Sequence, residues 1–252
     1  MNNLKGKTAI VTGGASGIGE ATALLYAAYG CNVIVSDLQE EKGLLLVEKI
    51  RQSNGKAVFI KADVSKPQDC EMLVNKTVAG FGSVDIAFNN AGISGESNAM
   101  ADMSIEGWNK IIAVNLNSVF YCMKYELQQM LKQGKGVIIN NSSILGQVGF
   151  ANAAGYVAAK HGVIGLTQNA ALEYGVKGIR INAIGPGFIN TPLLTEAGMN
   201  TDIKQSVLVP LHPIGRLGEA SEVAELVIWL SSDKASFITG SYYPVDGGYL
   251  AR

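Results

Sequence analysis

The sequence predicts an α/β domain built on a doubly wound parallel sheet of about seven strands, and three observations predict it. Short β-rich runs alternate with longer stretches whose apolar residues recur at helical spacing. The short runs are continuously apolar rather than alternating, as expected for strands covered on both faces. Many of the 30 glycines stand directly after those runs, where a strand must turn sharply into a helix. Strands are expected at 7–11, 32–36, 57–61, 84–88, 136–141, 179–183 and near 241–245, and helices around 17–29, 39–53, 67–80, 104–133, 155–176 and 219–231. Alternation of this kind implies right-handed crossovers and helices on both faces of the sheet.

No linker rich in proline, serine or charge divides the 252 residues, so 1–252 reads as a single domain with enough chain to bury a substantial core. The interval 185–218 has no strand signal and holds four of the six prolines, Pro186, Pro192, Pro210 and Pro213. Its amphipathic 193–208 stretch suggests a small helical lid, placed at 190–210. A net charge of −1 with 16% charged residues creates no basic field that would draw in nucleic acid or an anionic membrane, so a small molecule is the expected partner. No apolar run approaches the ~20 residues that span a bilayer, and no leader pattern precedes the first strand, which points to the cytoplasm. Cys31, Cys70 and Cys122 are scattered and odd in number. They read as small buried hydrophobes rather than a disulfide framework or a zinc site.

Directly after the first strand, Thr12-Gly13-Gly14-Ala15-Ser16-Gly17-Ile18-Gly19 opens into a helix. A pyrophosphate can approach backbone N–H groups and a helix N-terminus only where side chains are missing, which is what glycines at this turn provide. The spacing is G-x-x-x-G-x-G, a variant of the better known G-x-G-x-x-G, so the reading rests on strand, turn and helix occurring in order. The second strand ends in Asp37, at the distance where a carboxylate accepts hydrogen bonds from the adenosine ribose and repels a 2′-phosphate. Taken alone, Asp37 reads as a solvated cap for the helix that follows. With the glycine turn it makes a Rossmann-type dinucleotide site, and since Ser16 and Leu38 offer no cation to a phosphate, NAD is favoured over NADP.

Tyr156 and Lys160 lie four apart on an expected helix and therefore share a face. A nearby ammonium stabilises a phenolate and lowers its pKa from about 10, which would make Tyr156 an acid/base. Y-x-x-x-K is common on helices by chance. Ser142-Ser143 ends the fifth strand, where the carboxyl ends of parallel strands open onto the ligand crevice and a hydroxyl can bond a carbonyl oxygen. In general such a pair merely starts a loop.

Taken together, Thr12–Gly19, Asn89-Asn90-Ala91-Gly92, Asn115, Ser143, Tyr156, Lys160 and Pro186-Gly187 resemble, in order and spacing along essentially the whole chain, the short-chain dehydrogenase/reductase family. The resemblance implies that Tyr156 protonates the substrate oxygen in reduction and recovers the proton in oxidation, and that Ser143 holds that oxygen. Lys160 would bind the nicotinamide ribose and lower the tyrosine pKa, while Asn115 would hold a water linking Lys160 to a proton relay. It further implies that Gly13, Ser16, Gly17, Ile18 and Gly19 cradle the cofactor, that Asn89, Ala91 and Gly92 border it, that Asp63 and Val64 meet the adenine, and that Ile189 and Thr191, after Pro186 and Gly187, meet the carboxamide.

His161 points about 100° away from Lys160 around the helix, and His212 falls in the proline-rich lid; both read as structural. Asp246-Gly247-Gly248 resembles the family's closing segment, and with Arg252 a poor ligand no metal is expected. The function expected is interconversion of a ketone and a secondary alcohol with NAD(H), by a homotetramer like many relatives. Rivals are a 3-oxoacyl carrier-protein reductase, which usually keeps a basic residue for NADP; a sugar or polyol dehydrogenase, which needs a more polar pocket than 144–148 and 193–199 provide; and a nucleotide sensor without catalysis.

Overall fold

The computed structural model describes residues 4–199 and 201–251; Asn200 in the expected lid, the terminal Arg252 and the side chain of Gln205 lie outside the described residues. The chain runs β1 (Thr8–Thr12), α1 (Gly17–Ala28), β2 (Asn32–Asp37), α2 (Glu40–Gln52), β3 (Lys56–Lys61), α3 (Pro67–Phe81), β4 (Ile86–Asn89), α4 (Ile105–Ile112), α5 (Ser118–Gln133), β5 (Gly136–Asn141), α6 (Ala154–Tyr174), β6 (Ile179–Pro186), the short α7 (Pro192–Glu196) and α8 (Thr201–Ile203), α9 (Ala220–Ser231) and β7 (Tyr242–Val245). The strands form one sheet in the order β3-β2-β1-β4-β5-β6-β7. Every neighbouring pair is parallel. The order reverses between β1 and β4, and the crevice beyond the carboxyl ends of strands at such a switch point is where a ligand binds.

Successive strand residues face opposite sides of a sheet, and here both sides are buried. Val11, Val33, Val35 and Ile184 pack against α1 and α9 in one core. Their neighbours Ile10, Ile34 and Ile181 pack with residues of α3, α5 and α6 in the other. That explains the unbroken apolar runs. Helix ends follow local chemistry: Pro67 opens α3, and Gly82, at φ +80°, closes it. Ser104 caps α4 by accepting from Gly107 N–H, and Glu219 and Glu222 form a capping box on α9.

Two elements differ from the sequence expectation. The helix expected across 104–133 is interrupted at Ala113–Asn117 by a π-turn. There the Asn115 amide bonds both the N–H and the C=O of Ile93, each at 2.8 Å. Such bulges are frequent at functional sites. Strand β6 continues three residues beyond its expected end because 183–186 pair with β7.

Asn89, at the end of β4, is buried in a polar network inside the core. Its amide donates to Glu126 of α5 (3.0 Å) and to Asn140 of β5 (3.1 Å), and Asn140 donates on to Thr167 of α6 (2.9 Å). Burial raises the Glu126 pKa from 4.5 to about 7, opposed by the Asn89 hydrogen bond. For a carboxyl raised in the folded state, the associated stability is fully present below the unfolded pKa and is lost as pH rises through the folded value, here between about 4.5 and about 7. Glu126→Gln, which keeps an acceptor for Asn89, should therefore raise Tm relative to wild type at pH 8, by an amount equivalent to at most ~3 kcal/mol. The gain should vanish near pH 5. Equal Tm differences in thermal melts at the two pH values would show that Glu126 carries no such cost.

Candidate active site

A groove of about 450 Å³ runs along the carboxyl ends of β1, β2, β4 and β5, from Asp37 and Asp63 at one end to Tyr156 and Lys160 at the other. Gly13, Ser16, Gly17, Ile18, Val64, Asn90, Ala91, Gly92 and Thr191 also line it. Gly13 and Gly17 take φ values of +60° and +55°, which L side chains rarely adopt, so the turn needs glycine at both. Gly19 faces inward instead. A Cβ there would overlap the Gly13 carbonyl oxygen and lie 2.8 Å from Asn90 Nδ2, so its role is to let α1 dock on the turn.

Asp37 ties the glycine turn to the segment that leads into α2. It accepts from Ala15 N–H and from Gln39 N–H, each at 3.0 Å. Each carboxylate oxygen retains a further acceptor site, and the residue lines the groove. At Asp63, burial opposes the charge but hydrogen bonds from Ser65 and the Lys66 ammonium outweigh it, so its pKa falls below the usual value. Among the described residues, the cations lining this groove are Lys110 and Lys160, neither of which neighbours Asp37 in the chain.

Asn89, expected to border the cofactor, does not line the groove. Strand alternation turns it into the core network described above and turns Asn90 toward the glycine turn. Asn90 donates to the carbonyls of Thr12 (2.9 Å) and Gly13 (3.1 Å), while Thr12 Oγ1 accepts from Asn90 and Ala91 N–H. Sequence reasoning missed this clamp, although the polar doublet after an apolar strand marked the place.

The second space, a cavity of about 190 Å³, adjoins the groove at Tyr156 and Asn141. Ile144, Leu145, Phe150, Phe188, Leu193, Leu194 and Met199 supply its apolar walls, and Pro186, Gly187 and Ile189 border it. Phe188 packs edge-on against Phe150, with ring centroids 5.8 Å apart. Behind it stands His212, which is more than a spectator. Its Nδ1 bonds Leu208 O (2.9 Å) and its Nε2 accepts from Phe188 N–H (3.2 Å), tying the lid to the wall of the cavity. His161 only bonds the helix carbonyl of Val157.

Where groove and cavity meet, Ser143, Tyr156 and Lys160 come together. Ser143 caps the turn Ile144–Gly146, its hydroxyl accepting from Leu145 N–H at 3.1 Å. Ser142 Oγ donates to Lys160 O (2.8 Å), fastening α6 to the end of β5. Lys160 Nζ donates to Asn141 O (2.8 Å) and stands 5.5 Å from the Tyr156 ring centroid. Burial lowers the Lys160 pKa to about 8. For Tyr156 the direction reverses the sequence expectation: burial raises its pKa, and the Ser143 hydrogen bond only partly opposes this. The lysine is itself desolvated, which disfavours its charged form.

The glycine cradle, the two acidic residues at one end and the Tyr156/Lys160 pair at the other fit a dinucleotide whose redox end lies beside a small, half-open, mostly apolar cavity. That arrangement defines a nicotinamide-dependent oxidoreductase. The comparisons agree. Residues 13–250 match a family model described as enoyl-(acyl carrier protein) reductase. The chain is 50% identical to cyclohexanol dehydrogenase of Acinetobacter sp. (strain SE19) over 251 residues, covering 100% of this chain and 98% of that one. It is 44% identical to 2,5-dichloro-2,5-cyclohexadiene-1,4-diol dehydrogenase of Sphingobium indicum, each covered in full. The crystal structure of levodione reductase superposes with a TM-score of 0.94 at 37% identity, covering 98% of both chains. The chain belongs to the short-chain dehydrogenase/reductase family.

Proposed function

We propose that the protein interconverts a cyclic secondary alcohol and its ketone, using NAD(H), with Tyr156 as acid/base. The observation that carries this is the apolar cavity of about 190 Å³ that ends at Ser143 and Tyr156. A cavity of about 150 Å³ lined by Leu, Ile and Phe holds benzene, so this one suits a single six-membered carbocycle. The relatives named for cyclohexanol and for a cyclohexadienediol support the same class.

When bound, the nicotinamide supplies or accepts the hydride. Ser143 holds the substrate oxygen. Tyr156 donates its proton to that oxygen in reduction and takes it back in oxidation. Lys160 holds the nicotinamide ribose and favours the phenolate through its charge. Because Ile93 occupies both ends of the Asn115 amide, a relay water at Asn115 would meet its main chain. Pro186, Gly187, Ile189 and Thr191 would flank the carboxamide.

Burying roughly 100 Å² of ring surface contributes ~2.5 kcal/mol, about 70-fold, over a polyol of similar size. Steady-state assays of cyclohexanols, sugars, polyols and acyl thioesters test the reading. A higher kcat/KM for sugars or thioesters would replace it with one of those classes.

NAD(H) is the proposed cofactor because Asp37 would repel a 2′-phosphate that no adjacent cation offsets. Charge-assisted hydrogen bonds of about 1.5–3 kcal/mol to the ribose imply a preference for NADH over NADPH of about tenfold or more. Asp37→Ala should erode that preference by weakening NADH binding, and adding Leu38→Arg should recruit NADPH. If wild type uses both cofactors equally, or Asp37→Ala leaves their ratio unchanged, Asp37 is only a cap.

Residues 190–210 are proposed to act as a lid, with Leu193, Leu194 and Met199 as its inner face. Assembly as a homotetramer is proposed from the family resemblance, with the exposed Phe120 and Leu131 on α5 and Leu172 on α6 as apolar side chains an interface would cover. A cytoplasmic location accords with the finding that no helix among the described residues is long and apolar enough to cross a membrane.

A further inference from the structure

Tyr242 stands on the edge strand β7, yet its hydroxyl donates to the main-chain carbonyl of Ser143 at 2.9 Å. The bond passes over β6, and it can do so only because residue 185 is glycine. A Cβ there would overlap both the hydroxyl and the ring of Tyr242. The Ser143 carbonyl also accepts from Gly146 N–H at 2.9 Å, while its Oγ accepts from Leu145 N–H. One peptide is thus gripped from β7 on one side and from the following turn on the other. Ser143 and Tyr156 line the same cavity, and a hydrogen bond from the Ser143 side chain opposes the effect of burial on the phenol.

We infer that Tyr242 is a positioning residue for Ser143, holding its peptide through the gap at Gly185 so that the serine hydroxyl meets both Tyr156 and the substrate oxygen. This rests on the proposed roles of Ser143 and Tyr156. Tyr242→Phe removes a single hydroxyl and keeps the ring that fills the space beside Gly185. Ser143 then keeps only its bonds from Gly146 and Leu145, its hold from β7 is lost, and the hydrogen bond that favours the Tyr156 phenolate weakens.

The test is a double-mutant cycle of Tyr242→Phe and Ser143→Ala, combined with ultraviolet titration of tyrosinate in the cofactor-free protein, using Tyr156→Phe to assign the Tyr156 signal. Tyr242→Phe should lower kcat by about three- to tenfold, the size of one positioning hydrogen bond, with KM and NADH affinity little changed. It should also move the Tyr156 titration to higher pH. In the Ser143→Ala background the same substitution should cost nothing further, because the group it positions is gone. Multiplicative losses in the cycle, or an unmoved titration, would reduce Tyr242 to a structural residue and overturn the inference. Full activity of Ser143→Ala alone would instead overturn the site reading on which it rests.

Discussion

Replacing Tyr156 with phenylalanine should abolish most turnover while leaving NADH binding nearly intact. The substitution removes one oxygen and keeps the ring beside Lys160 and the cavity. General acid/base help is typically worth 10²–10⁴-fold, about 3–5 kcal/mol, and among the described residues the cavity offers no free second group to supply it. Among its lining residues the titratable side chains are Tyr156 and Glu96. Glu96 is committed to Ser104, at 2.7 Å to the hydroxyl and 3.3 Å to the N–H. Steady-state kcat with cyclohexanone, alongside calorimetric NADH binding, separates the two effects. Near-normal turnover in this variant would remove Tyr156 from the chemistry.

Gly19→Ala should cost cofactor affinity about 100-fold and lower Tm. A Cβ at 19 would overlap the Gly13 carbonyl, which is backbone and cannot swing aside, and it would press on Asn90 Nδ2. Overpacking of this kind costs typically 1–3 kcal/mol. Here the strain falls on the turn that Asn90 clamps through Thr12 and Gly13, so it should appear in NADH binding as well as in stability. Gly80, where a Cβ meets nothing within 4 Å, is the control. Gly80→Ala should leave NADH affinity unchanged. If Gly19→Ala binds NADH like wild type, the turn is not the pyrophosphate cradle.

The inner strands were legible because parallel strands buried on both faces must be apolar throughout, whereas the edge strand β7, with no buried residue, was placed only as lying near 241–245. The convergence of Tyr156 and Lys160, at helical spacing on α6, with Ser143 at the end of β5 was legible as well. Three features were not legible. The inward turn of Asn89 and outward turn of Asn90 depend on which residue last follows the strand's alternation, and two adjacent asparagines give no hint of it. The rise in the Tyr156 pKa comes from burial of the phenol, which spacing does not report. The contact from Tyr242 to Ser143 joins positions 99 apart across a missing side chain at Gly185, and only the assembled sheet reveals it.

The most direct test of the account is the fate of deuterium from NADH labelled at nicotinamide C4 during reduction of cyclohexanone. With wild type, deuterium should appear on the carbinol carbon of cyclohexanol when the label is on the transferred face, while Tyr156→Phe should bind the labelled cofactor and form almost no deuterated product. Unlabelled cyclohexanol from both C4 epimers, or equal label transfer by wild type and Tyr156→Phe, would contradict direct hydride transfer with Tyr156 as proton donor.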